Sequence, residues 1–175
     1  MIFLPGHGAR DGRWDPGAVS PLGWIEADFV RAVAIAALGV RPDDHLIVSQ
    51  DSYSERGREG ARLRPGAPVV QLHADAVADE VGPDRATVFW WPGNPSGEAL
   101  ARSTVEALAS VLPWPVKALE ARADVSWHAG ARSCLRAVAQ TSILVECGYT
   151  DGALGRRVLP GLAAPIGAAL GALGG

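Results

Sequence analysis

Four side chains scattered along the sequence have the types that metal-assisted hydrolysis needs. His7 stands between Gly6 and Gly8, directly after the apolar run Ile2-Phe3-Leu4. Glu26 lies at the start of a helical pattern, His73 ends the run Val69-Val70-Gln71-Leu72, and Glu146 follows Ser142-Ile143-Leu144-Val145. Two imidazoles and a carboxylate are a catalytic zinc set with a position left open, and a second carboxylate beside them could serve as a general base. Glycines flanking His7 permit a sharp turn and leave room for an ion and a substrate.

Each residue also has an ordinary explanation. His7 suits a plain strand-to-loop turn. Glu26 falls in a helix first turn, where the macrodipole favours a carboxylate by about 0.3–1 kcal/mol. It nevertheless sits between Ile25 and Ala27 at the border of the apolar face, where an unpaired charge is costly. His73 could be a satisfied strand histidine, with Asp75 accepting a hydrogen bond that orients its ring. Glu146 is the hardest to account for structurally. A carboxylate ending an aliphatic strand needs a salt partner, a metal or a catalytic role. Partial burial would raise its pKa toward the range suited to taking a proton from water and passing it to a leaving amine.

The elements that must position these groups alternate along the chain. Strands are expected at Ile2–Leu4, Leu46–Ser49, Val69–His73, Thr87–Trp91, Val116–Leu119 and Ser142–Cys147. Helices are expected at Trp24–Leu38, Gly97–Leu112 and Ala131–Ala139, with Gly39 and the turn Pro92-Gly93-Asn94-Pro95 as punctuation. This alternation predicts an α/β fold: a single domain with a mostly parallel central sheet flanked by helices. Ligands in such sheets bind beyond the carboxyl ends of the strands, where His7, His73 and Glu146 all fall. Leading into and along the uncharged stretch 158–175, Leu154, Val158, Leu162, Ile166, Leu170 and Leu173 fall at helical spacing. Rich in Ala and Gly and interrupted by Pro160 and Pro165, the stretch reads as a terminal helix docked on the core rather than a membrane span.

Composition narrows the classes further. A length of 175 residues suits one domain, and a net charge of −3 offers no electrostatic case for nucleic acid or an anionic membrane. Cys134 and Cys147 are too few for a disulfide framework and lie in apolar surroundings, as buried free thiols do. No basic stretch followed by an apolar run opens the chain, so synthesis in the cytoplasm without a secretory signal is expected.

Five segments carry a family likeness: Ile2-Phe3-Leu4-Pro5-Gly6-His7-Gly8, Asp15-Pro16-Gly17-Ala18, Gly23-Trp24-Ile25-Glu26, Val70-Gln71-Leu72-His73-Ala74-Asp75-Ala76 and Leu144-Val145-Glu146-Cys147-Gly148-Tyr149. The chain resembles the zinc-dependent N-acetylmuramoyl-L-alanine amidases, the type 3 cell-wall amidase domain of bacterial autolysins and phage endolysins. The resemblance implies that His7, Glu26 and His73 hold zinc and that Glu146 is the catalytic carboxylate. It implies peptidoglycan as partner, action on the cell wall, and a monomeric catalytic domain over 1–175 without a separate wall-binding domain. The sequence departs from the family at Leu4, where Asp is usual, at Asp75, where Asn is usual, and at Ser49-Gln50-Asp51-Ser52, which replaces Thr-Arg-Asp. Thr141 stands where a proline is common. His128 is either an extra transition-state donor or a plain loop histidine. Trp90, Trp91, Trp114 and Trp127 line a glycan groove or pack in the core. Arg56, with Arg58, Arg62 and Arg64, belongs to a solvated face or contacts anionic substrate. Two other functions fit the same residues: a catalytically silent wall-binding module, and a zinc hydrolase of another amide or peptide.

Overall fold

The structure is a computed structural model that describes residues 1–10, 12–46, 53–77, 81–136, 138 and 141–173. In chain order the elements are β1 (Ile2–Pro5), β2 (Gly8–Arg10), β3 (Arg13–Asp15), α1 (Glu26–Val40), β4 (His45–Leu46), α2 (Tyr53–Leu63) and β5 (Val69–Asp75). They continue with β6 (Ala86–Trp90), α3 (Pro95–Ala109), β7 (Val116–Glu120), α4 (Ala129–Arg136), β8 (Ser142–Tyr149) and α5 (Gly155–Ala172). A 3₁₀ turn at Ser126–His128 leads into α4.

Six strands form one sheet in the order β4-β1-β5-β8-β6-β7, while β2 and β3 make a separate antiparallel hairpin. Neighbours run parallel at β4/β1, β1/β5, β5/β8 and β6/β7, and antiparallel at β8/β6. The sheet is therefore mostly parallel, with one reversal. The reversal falls between β8 and β6, so β6 and β7 run against the other four strands. The β1, β5 and β8 strands are buried along most of both faces, as a sheet covered on both sides requires.

Helices α1, α3 and α5 cover one face. Phe3, Val70, Leu72, Val88, Ile143 and Val145 meet Val30, Val33, Leu108, Leu159, Ile166 and Leu170 there. Each fully buried aliphatic or aromatic side chain contributes about 1.5–3 kcal/mol. On the other face Phe89 and Leu144 pack on Ala131, Cys134 and Leu135 of α4. Helix α5 docks on α1 so closely that a Cβ on Gly171 would come 2.6 Å from the Ala37 carbonyl oxygen. Its buried face is largely the expected one: Ile166 and Leu170 are buried, with Val158, Leu162 and Leu173 packed against the same cluster, while Leu154 is exposed and Leu159 joins the core. No helix among the described residues is long and apolar enough to cross a membrane.

Other expectations shift at the edges. Of the strand expected at Leu46–Ser49, β4 takes His45–Leu46 and residues 47–49 lie outside the described residues. The same holds for 137 and 139 at the end of the helix expected over Ala131–Ala139. The polar segment after β4 forms a full helix, α2, although it contains few apolar residues. The β2–β3 hairpin was not anticipated, because three-residue strands are too short to carry an alternation signal. Cys134 and Cys147 are buried free thiols, and burial pushes the Cys147 thiol far above the ordinary range.

Candidate metal centre

His7 follows the carboxyl end of β1, in a turn that reverses the chain into β2. Its φ of 59° lies in the left-handed region, uncommon for a residue with a side chain and characteristic of functional turns. What holds the turn is Arg56. This side chain is buried, and its guanidinium donates to the carbonyls of Pro5 at 3.0 Å, His7 at 3.4 Å and Ala9 at 3.2 Å. Arg56 thus leaves the solvated face expected for the arginines of α2, because three carbonyls replace the water that its charge gives up. Arg56→Met should weaken metal binding roughly 10–100-fold, the scale of losing a group that orients a metal ligand. Competition with a chromogenic chelator measures this, and an unchanged affinity would refute the role.

Glu26 begins α1, whose exposed N–H groups are taken by loop carbonyls: Glu26 N–H donates to Ala18 O and Ala27 N–H to Pro16 O. The carboxylate itself is buried between two histidines. Oε1 accepts from the Ala74 N–H at 3.0 Å and lies 3.0 Å from His73 Nδ1. Oε2 accepts from the Ala18 N–H at 2.9 Å and lies 3.3 Å from His7 Nε2. Burial by itself would raise the Glu26 pKa. Hydrogen bonding and charge from His73, the charge of His7 and the Ala18 N–H outweigh it and hold the carboxyl below its usual value.

His73 stands near the carboxyl end of β5, with its ring edge-on to that of His7 at a centroid distance of 5.3 Å. Burial disfavours its charged form. Hydrogen bonding with Cys134 and Glu26, with the charges of Glu146 and Glu26, reverses that and holds it well above the usual imidazole range. One donor atom from each of His7, Glu26 and His73 lies within 4.8 Å of the others, so the three can share one ion. The glycines around them are spatial requirements. A Cβ on Gly6 would come 2.6 Å from His73 Nδ1, and one on Gly17 would come 2.6 Å from His7 Cδ2.

Glu146 is placed by strand register, opposite His73 on β5 and Thr87 on β6. The β5/β8 register then shifts between His73 and Asp75, an irregularity of the kind that re-aims side chains beside active sites. The Oε2 atom of Glu146 is buried and makes no hydrogen bond. Burial, reinforced by the charges of Asp75 and Glu26 and partly offset by His73, pushes its pKa up to about 8. A cation held by the three neighbouring donors would meet this carboxyl group and favour its ionised form. The donor set, the glycine cradle and the unbonded carboxyl oxygen all fit a zinc ion.

The remaining candidates divide. Glu26, not Asp75, is the carboxylate at His73 Nδ1; Asp75 instead accepts from the Ala76 N–H at 2.8 Å and from the Tyr149 hydroxyl. Burial comes first among the causes that raise the Asp75 pKa. His128 is buried in the 3₁₀ turn, accepts from the Arg122 N–H at 3.0 Å and packs edge-on against Phe89. Burial and the Arg122 charge lower its pKa, and its ring ties the 3₁₀ turn to the Arg122 backbone. Trp114 is buried, and Trp90 pairs with Ile143 at the end of β8 away from Glu146, with Trp91 beyond it. The side chain of Trp127 lies outside the described residues.

One residue of the site had no role assigned from sequence. Asp15, at the end of β3, lies with Oδ2 2.9 Å from His7 Nδ1 and accepts from the Gly17 N–H through Oδ1 at 3.0 Å. A carboxylate behind a histidine fixes its tautomer and leaves Nε2 to face the centre. The visible signal was the Asp15-Pro16-Gly17 turn, but its partner is set only by the hairpin.

The amidase AmiC2 of Nostoc punctiforme superposes with a TM-score of 0.77 at 19% identity, over 98% of this chain and 92% of that one. The chain has the amidase fold. The amidase Ami1 of Mycobacterium smegmatis gives 0.71 at 19% identity, over 97% and 92%. The catalytic domain of the amidase CwlV from Bacillus (Paenibacillus) polymyxa gives 0.70 at 18% identity, over 98% and 94%. No protein-family model matches the sequence, and no curated protein does. The likeness thus lies in the backbone far more than in the sequence.

Proposed function

We propose that this protein is a zinc-dependent N-acetylmuramoyl-L-alanine amidase. It would hydrolyse the amide that joins the lactyl group of N-acetylmuramic acid to L-alanine in peptidoglycan. The observation that carries this reading is the meeting of His7, Glu26 and His73 within 4.8 Å, on the fold of proteins named for that activity.

In this reading His7, Glu26 and His73 hold the metal, Asp15 orients His7, and Arg56 keeps its turn in shape. Zinc supplies positive charge that polarises the scissile carbonyl and makes water more acidic. Glu146 accepts the proton of the attacking water. It then returns that proton to the nitrogen of L-alanine as the C–N bond breaks, so the peptide leaves as a neutral amine. Burial suits Glu146 to both steps, because a carboxyl group with a raised pKa gives up its proton and recovers it near neutral pH.

The deciding experiment is the identity of the products. Peptidoglycan digested by the zinc-loaded protein should yield stem peptides with a free N-terminal L-alanine, identified by mass spectrometry after amine labelling. Fragments ending elsewhere would point to a hydrolase of another amide. Intact peptidoglycan after prolonged incubation would point to a silent module.

A further inference from the structure

The β2–β3 hairpin springs directly from His7 and ends at Asp15, so both its ends are tied to the metal centre. Its strands register Gly8 with Asp15 and Ala9 with Trp14, and Arg56 holds the Ala9 carbonyl from below. Trp14 is 55% exposed, the most exposed tryptophan among the described side chains. Its indole lies over Gly8: a Cβ there would sit 4.0 Å from Cζ3 of the ring. By contrast, Trp24 gives its indole N–H to the Arg156 carbonyl and packs on Phe29, while Trp114 is buried.

On this short hairpin Trp14 leaves a large apolar face open to a ligand. An indole combines an apolar face with a polar N–H, which suits a ligand with an apolar face and a polar rim. A pyranose ring is such a ligand, with axial C–H groups on one face and hydroxyls around its edge. Resting on the proposed function, the location selects the sugar. N-acetylmuramic acid is joined through its lactyl ether to the carbonyl that must lie at the metal, so its ring has to sit against the walls beside His7. Trp14 forms part of that wall.

We propose that Trp14 is a saccharide platform, which stacks on the pyranose of the muramyl residue and sets preference for glycan-linked over free peptides. Its test uses a disaccharide of N-acetylglucosamine and N-acetylmuramic acid without peptide, titrated into the wild-type protein. The indole N–H resonance of Trp14, assigned by its loss in Trp14→Phe, should shift on titration. On glycan-linked peptide, Trp14→Ala should raise KM about tenfold with kcat within about twofold, and Trp14→Phe should recover part of the loss. Zinc content should not change in either variant.

An indole resonance unmoved by the disaccharide overturns the proposal, as does one moved only by free stem peptide or an unaltered KM in Trp14→Ala. Failure of the amidase reading looks different. The disaccharide would then still shift Trp14 while the zinc-loaded protein released no peptide.

Discussion

His73→Ala should remove tight zinc binding and reduce hydrolysis by well over a hundredfold. The size follows from a comparison: losing a group that merely orients a ligand costs roughly 10–100-fold in metal affinity, and a ligand itself costs more. The consequences spread, because Glu26 Oε1 shares His73 Nδ1 as its partner at 3.0 Å. Without that imidazole the buried carboxylate keeps the Ala74 and Ala18 N–H groups but loses the largest influences that hold its pKa down. It should therefore protonate more readily, which weakens its own grip on a cation. Metal content after gel filtration, with affinity from chelator competition, measures the effect. Stoichiometric zinc in the variant would remove His73 from the ligand set. Chelation of the wild-type protein should likewise stop hydrolysis, and added zinc should restore it.

Glu146→Gln should lower kcat by roughly 10²–10⁴-fold, the usual contribution of a general acid–base group, while the protein keeps its zinc. The glutamine has the same shape but cannot accept the proton. The combination of retained metal and lost turnover separates a proton carrier from a ligand, and activity within tenfold of wild type would exclude the assignment.

The same variant predicts a pH effect on the metal-free protein. The folded pKa of Glu146, about 8, lies above the ordinary 4.5. Between these values the folded carboxyl group stays protonated while the unfolded one ionises, so rising pH favours unfolding. Wild type should therefore lose thermal stability relative to Glu146→Gln as pH rises from about 4.5 to 8, and match it more closely at lower pH. Parallel melting curves across that range would show that Glu146 is not buried as described.

Much of the site could be read from residue types, for a physical reason. In a sheet whose neighbouring strands run parallel, every carboxyl end lies at the same edge. His7 after β1, His73 on β5 and Glu146 on β8 therefore had to come close once those runs were recognised as strands. The buried carboxylate of Glu146 was equally legible, because nothing apolar around it explains its charge.

What escaped the sequence depends on long-range pairing. Asp15 reaches His7 only because two three-residue strands close a hairpin, and such strands carry no periodic signal. Arg56 looks like one more surface arginine in a polar helix until the His7 turn offers it three carbonyls. Asp75 is closer in sequence to His73 than Glu26 is, yet the register shift in β5/β8 and the position of α1 give the ring to Glu26. The tryptophans show the same division, since aromatic composition does not distinguish the buried Trp114 from the exposed Trp14.

The amino-acid order by itself determined the alternation of strands and helices, the docking of the terminal helix and the four chemical groups, because local periodicity and the cost of burying charge act residue by residue. Tertiary structure alone decided the reversed direction of β6 and β7, the partners that orient His7 and His73, and which tryptophan meets solvent beside the candidate metal centre. Those outcomes depend on contacts between residues far apart in the chain, whose energies do not exist until the sheet has formed.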